Sequence, residues 1–132
     1  MVGAIVPIVG LLALLLVAAL GRPPVFTGLE AATTCLPGPV GGDRTIQYHL
    51  RWHAAHDDMT PASRIVYLVY RATSPGDESF ARPTWVTRPG ATSFTTPPLS
   101  STGTYYFVVR ARDAAGNRDR NGREQRGVNL CR

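Results

Sequence analysis

Residues 99–117 read LSSTGTYYFVVRARDAAGN and consist of a turn, a long alternating segment and a second turn. Successive side chains of an extended chain point to opposite faces, so every second residue shares a face. One face of this segment is apolar and carries Tyr105, Phe107, Val109 and Ala111. The opposite face is apolar at its start and basic at its end, with Tyr106, Val108, Arg110 and Arg112. The stretch therefore predicts a central β-strand bounded by turns.

Two further stretches show the same period-two alternation. Residues 45–53 (TIQYHLRWH) place Ile46, Tyr48, Leu50 and Trp52 on one face, and residues 65–71 (IVYLVYR) place Ile65, Tyr67 and Val69 on one face. Shorter strands are predicted over residues 23–32, 82–87, 92–96 and 124–131. The pattern predicts an all-β domain of seven strands, with Trp52, Tyr67 and Tyr105 meeting in its core.

Several of these motifs resemble a fibronectin type III domain. The Leu99-x5-Tyr105 spacing, the alternating row after it and the sequence DAAGN from Asp113 are similar to that family's F strand and following loop. Leu50-x-Trp52 resembles its strand B, and Ile65-x-Tyr67-x-Val69 resembles its strand C. The resemblance implies a seven-stranded antiparallel immunoglobulin-like sandwich over residues 22–132, with a tyrosine corner at Tyr105. The structural core residues that it implies are Trp52, Tyr67, Leu99 and Tyr105.

The chain begins with an apolar segment. Residues 2–20 form a run of 19 uncharged residues, which predicts one hydrophobic helix that meets lipid. Two interpretations stay open. Residues 1–21 are either a secretory signal peptide cleaved after Gly21, where small residues suit a signal peptidase, or a retained N-terminal membrane anchor.

The chain has two cysteines, Cys35 and Cys131, and no third thiol or CxxC motif. In the sandwich that the resemblance implies, the ends of the first and last strands share one pole, which brings both cysteines within bridging reach. A disulfide persists outside the reducing cytosol. We therefore expect an exported bacterial protein of one domain that is secreted, periplasmic or cell-surface.

Acidic and amide side chains cluster in two predicted loops that share one pole in the resembling family. These calcium candidates are Asp57, Asp58, Asp113, Asn117, Asp119 and Asn121. Calcium takes six to eight oxygen ligands, which such loops supply. The alternative is that Asp and Asn only form the turns through local hydrogen bonds. No other metal and no cofactor is expected.

The outward faces of the strands over residues 65–71 and 103–113 are unusually apolar. Their side chains are Val66, Leu68, Tyr70, Tyr106 and Val108. A contiguous exposed patch of this kind is typical of a protein contact surface. The alternative is that arginine stems or the edge strand near Trp85 cover it.

All fourteen basic residues are arginines, and the net charge is +5. Six of them crowd the C-terminal quarter: Arg110, Arg112, Arg118, Arg120, Arg123 and Arg126. Such a stripe suits an acidic glycan or lipid head groups, or is a plain charged surface. Nucleic acid is not expected, because acidic residues interrupt the stripe and no base-stacking motif accompanies it.

No catalytic motif stands out, since GxSxG, HExxH and a phosphate-binding glycine loop are absent from the sequence. On one strand His49 and His53 are about 13 Å apart, too far to share an ion. The resemblance implies a non-enzymatic extracytoplasmic interaction or adhesion module, whose partner is a protein or surface glycan of the cell envelope. A passive envelope spacer and a small metal-dependent hydrolase remain as alternatives. Contact with a membrane is expected only through residues 2–20, if they are not cleaved off.

Overall fold

The computed structural model of the protein describes residues 21–38 and 44–131. Its regular structure is almost entirely extended, with one short 3-10 turn at Ala62–Arg64. The strands are β1 (Leu29–Thr34), β2 (Thr45–Ile46), β3 (His49–Trp52), β4 (Val66–Ala72), β5 (Trp85–Val86), β6 (Ser93–Thr95), β7 (Leu99–Ser100), β8 (Tyr106–Arg112), β9 (Gln125–Arg126) and β10 (Val128–Asn129). The all-β prediction is confirmed.

The strands form two four-stranded sheets and one small pair. The first sheet has the order β10-β1-β3-β6, the second has the order β5-β4-β8-β9, and β2 pairs with β7. The described residues thus contain ten short strands instead of the seven predicted, because the stretches over residues 45–53 and 124–131 are each divided in two and a further strand, β7, forms where a turn was predicted.

The last stretch of the described chain belongs to both sheets. Strand β9 pairs antiparallel with β8, whereas β10 pairs in parallel with β1, so the expectation of a purely antiparallel arrangement is wrong at this edge. Gly127 lies between the two strands, and its N–H donates to the Tyr105 carbonyl at 2.9 Å. A Cβ at Gly127 would lie 2.5 Å from the ring carbon Cε1 of Tyr48, so only glycine fits this crossing point without a shift.

The first strand begins later than predicted. Prolines lack the N–H that a sheet ladder needs, and the regular pairing of β1 starts only at Leu29. Before it, Val25 forms an isolated bridge with His56. The predicted helix over residues 2–20 lies outside the described residues. Within residues 21–38 and 44–131, no helix is long and apolar enough to cross a membrane.

Aromatic side chains fill the space between the two large sheets. The rings of Trp52 and Tyr67 lie 5.1 Å apart, and those of Tyr48 and Phe107 lie 5.5 Å apart. The residues that the sequence places in the core are all buried: Trp52, Tyr67, Leu99 and Tyr105. The hydroxyl of Tyr67 accepts the Ala55 N–H at 2.8 Å. Burial raises the pKa of Tyr67, and this hydrogen bond offsets part of the rise.

A disulfide joins Cys35 to Cys131, whose Cα atoms are 4.7 Å apart. Cys35 follows directly on β1, and Cys131 lies two residues after the end of β10. Beside the disulfide, the backbone N–H of Leu36 donates to Asn129 Oδ1 at 2.9 Å. Because the cysteines are 96 residues apart in sequence, chain entropy gives the crosslink about 4–5 kcal/mol of stabilisation. Such a bond is typical of an oxidising compartment outside the cytosol.

We predict that Tyr105→Phe lowers the free energy of unfolding by about 1 kcal/mol, the usual net contribution of one hydrogen bond. The Tyr105 hydroxyl donates to the Ser100 carbonyl at 2.9 Å, which is the tyrosine-corner bond expected from the sequence. Denaturant titration measures the change. The matched control is Tyr106→Phe, on the opposite and half-buried face of β8. Equal losses in both variants would contradict a specific role for the Tyr105 hydroxyl.

Candidate functional site

The two loops expected to share one pole do so. The backbone N–H of Ala114 donates to Thr60 Oγ1 at 3.0 Å, which joins the loop after β3 to the loop after β8. A small cavity of about 110 Å³ lies between the loops, and three calcium candidates line it: Asp57, Asp58 and Asp113. The sequence therefore placed these carboxylates correctly at one end of the domain.

The carboxylates of the first loop already have partners. Asp57 Oδ2 accepts the backbone N–H groups of Met59 at 3.1 Å and Thr60 at 2.8 Å. Asp58 forms an ion pair with Arg22 at 3.2 Å. The Asp57 contacts are those of a residue that organises its own turn.

The polar residues of the second loop also bond within it. Asp113 Oδ1 accepts the Asn117 N–H at 2.8 Å. Asp119 Oδ2 accepts the Ala111 N–H, and its Oδ1 accepts the Asn121 N–H at 2.9 Å. No group of three metal-ligating side chains occurs in the part of the chain that the structure describes. The geometry favours the turn interpretation of the six candidates over a calcium site.

The three histidines contact different neighbours. His49 Nδ1 lies 2.9 Å from Thr95 Oγ1, while His53 Nε2 lies 3.9 Å from the Glu30 carboxylate. His56 is exposed and makes its backbone bridge to Val25. These contacts give no support to a metal-dependent hydrolase.

The apolar outer face of β4 and β8 is covered. Leu68, Tyr70 and Val108 are at most 1% exposed, and Val66 and Tyr106 are half-buried. The expectation of an exposed contact patch is therefore wrong. The face is covered because Phe80, from the connection over residues 73–84, packs on Leu68, Tyr70 and Val108 and forms a second small core with them.

Phe80 is held between an aromatic ring and a cation. Its ring centroid lies 5.0 Å from that of Tyr70 and 3.5 Å from the guanidinium carbon of Arg110. A cation at this distance from an aromatic ring is attracted to it. Arg110 is fixed further, because its Nε donates to the Asn121 carbonyl at 2.8 Å.

Two carboxyl groups, those of Glu78 and Glu124, lie close together at the connection over residues 73–84 that carries Phe80. Glu124 Oε2 accepts the Gly76 N–H at 2.7 Å, and the carboxyl of Glu78 lies close to that of Glu124. Burial raises the pKa of Glu78 to about 7, with further contributions from Glu124 and from the charge of Asp77. No sequence pattern indicates this pair, because its members lie in separate irregular connections.

A basic groove of about 590 Å³ opens beside Phe80. Three arginines line it, namely Arg110, Arg118 and Arg120, and Gly21 and Pro23 also contribute to its wall. These are three of the six arginines that the sequence placed in a C-terminal stripe. Arg118 and Arg120 are exposed, whereas Arg110 is half-buried.

No family model, no curated protein and no solved structure matches this chain. The class of protein is therefore defined by the coordinates alone. It is an all-β domain of two facing sheets, crosslinked between its first and last strands, with joined loops at one pole and a basic groove beside them.

We predict that Glu78→Gln flattens the pH dependence of stability. The pKa of Glu78 in the folded protein is about 7, above its ordinary 4.5, so the folded state holds this proton more tightly. The contribution of Glu78 to the free energy of unfolding is fully present below about pH 4.5 and is lost as the pH rises through 7. The variant keeps a neutral side chain, so its melting temperature relative to wild type should rise between about pH 5 and pH 8.

Asp77→Asn is the matched control, since it removes one carboxylate from the same connection and Asp77 has the weakest influence on Glu78. Its pH profile should follow that of wild type. Identical profiles for wild type and Glu78→Gln would rule out a protonated Glu78 in the folded protein.

Proposed function

We propose that this chain is a non-enzymatic extracytoplasmic interaction module built on a fibronectin type III-like, immunoglobulin-like sandwich. Three observations support the fold assignment. The Tyr105 hydroxyl donates to the Ser100 carbonyl, the Trp52 ring packs on Tyr67, and β4 pairs with β8 over its full length.

The location proposed is the cell envelope or the exterior. The disulfide between Cys35 and Cys131 supports it, because such crosslinks are rare in the reducing cytosol. We assign residues 1–21 as a signal peptide or an N-terminal anchor, and either role delivers residues 22–132 to that side of the membrane.

The observation that carries the binding role is the contrast between the acidic and the basic side chains. Asp57 and Asp113 hydrogen-bond to their own loops, and Asp119 to its loop and to β8, so they serve the scaffold. Arg118 and Arg120, in contrast, are exposed and form no ion pair with the described carboxylates. The chemistry available for a partner is therefore basic and lies in the groove. Its partner is a surface component of the envelope, either a protein or a glycan.

Binding to isolated bacterial envelopes separates this function from a passive spacer. Fluorescently labelled full-length protein is mixed with envelopes over a range of concentrations, and the bound fraction is measured after sedimentation. An interaction module gives saturable binding that excess unlabelled protein displaces. A spacer gives only a linear, undisplaced background, and that result would overturn the proposal. Heat-unfolded protein serves as the control for non-specific adhesion.

A further inference from the structure

Four arginines lie on one outer face beside the groove, and we call them the arginine face: Arg110, Arg112, Arg118 and Arg120. Arg110 and Arg112 are two residues apart on β8, so their side chains share a side. Arg118 is the direct antiparallel partner of Arg112, and directly opposed residues also share a side. Arg110, Arg118 and Arg120 line the same groove.

The inward turn of Asp119 explains why its two neighbours point outward. Asp119 is 7% exposed, and its carboxylate accepts the Ala111 N–H of β8. In an extended segment the residues on either side of an inward side chain face outward, about 7 Å apart. The sequence RDR from Arg118 therefore presents two exposed cations to the groove, while Asp119 between them lines it with little exposed surface.

The like charges of the arginine face destabilise the free protein. Like charges directly opposite each other, as Arg112 and Arg118 are, destabilise a β pairing. Within the described ranges the ion pairs are Arg22–Asp58, His53–Glu30 and Arg123–Glu30, so none of them includes an arginine of the face. An anionic ligand would relieve this repulsion.

Arg110 adds a pre-organised donor to the groove. Its guanidinium lies over Phe80, and two of its nitrogens donate to backbone carbonyls, those of Asn121 at 2.8 Å and Arg120 at 3.4 Å. The guanidinium has five N–H donors in a fixed fork, so donors remain for a ligand. A fork that is already oriented loses less entropy when it binds a carboxylate or sulfate.

We propose that the arginine face binds an anionic polysaccharide, a linear glycan that carries carboxylate or sulfate groups. This inference rests on the proposed extracytoplasmic binding function and names its ligand class. A linear chain can lie along the concave groove and reach the half-buried Arg110, whereas a flat layer of lipid head groups would meet only the protruding arginines. A nucleic acid lacks a stacking platform here, because Phe80 already packs on Tyr70 and Arg110.

Calorimetric titration of the full-length protein tests the proposal. The probes are polygalacturonate for carboxylate, dextran sulfate for sulfate, and neutral dextran as the uncharged control. We expect a saturable interaction with at least one charged polymer, weakened by salt, and none with neutral dextran. The double variant Arg118→Gln, Arg120→Gln should bind at least about tenfold more weakly.

The matched control is Arg51→Gln, Arg88→Gln, which removes the same charge from exposed positions outside the groove. It should change the affinity by no more than about twofold. Arg112→Gln should weaken binding and at the same time raise the melting temperature of the free protein, because it removes the like-charge pair. If Arg112→Gln lowered both the affinity for the glycan and the melting temperature, the result would contradict an arginine face that destabilises the free protein and serves binding.

Three results would overturn the proposal: equal weakening in both double variants, no binding to either charged glycan, or tighter binding to phosphatidylglycerol vesicles or single-stranded DNA than to either charged glycan. If the Arg118→Gln, Arg120→Gln variant binds envelopes saturably with the affinity of wild type, the polysaccharide site is wrong while the interaction function stands. If wild type binds charged glycans but not envelopes, the envelope role fails and the arginine face stands.

Discussion

The pairing of β4 with β8 is the constraint on which the rest of the structure depends. The two strands are in register over seven residue pairs, from Val66 opposite Arg112 to Ala72 opposite Tyr106. Both faces of this pair are apolar, with Tyr67 and Val69 on the inside and Leu68 on the outside, all fully buried. A strand pair of this kind needs a layer on each side. The first sheet supplies one layer, and the connection over residues 73–84 supplies the other.

The connection over residues 73–84 links the stability of the fold to the basic groove. Phe80 covers the outer face, and burying each large apolar side chain beneath it contributes about 1.5–3 kcal/mol. The same ring fixes Arg110 at the wall of the groove, so the groove keeps its shape only while the cover is in place. Beside the cover, burial raises the pKa of Glu78 to about 7. Glu78 therefore stabilises the folded protein most in acid.

Much of the fold is predictable from sequence because alternation is a local property. The alternation within residues 99–117 identifies β8 and its inward set, and the Leu99-x5-Tyr105 spacing implies a tyrosine corner, whose hydroxyl donates to the Ser100 carbonyl. Alternation also shows on which side Val108 lies, but not whether another segment covers that side. Phe80 lies in a connection without periodicity, so its position over the sheet depends on tertiary packing. The arginine stripe is visible in the sequence, whereas the inward turn of Asp119 is not.

Amide hydrogen exchange of the oxidised protein, followed residue by residue by NMR, tests the central role of the β4–β8 pair most directly. Amides in the most stable unit exchange only through global unfolding. We expect the amides of Leu68, Val69 and Val109 to be the slowest in the chain, with a protection equal to the global free energy of unfolding. Amides over residues 73–84 should exchange faster. If those of β4 and β8 exchanged as fast as residues 73–84, the pairing would not be the element that holds this structure together.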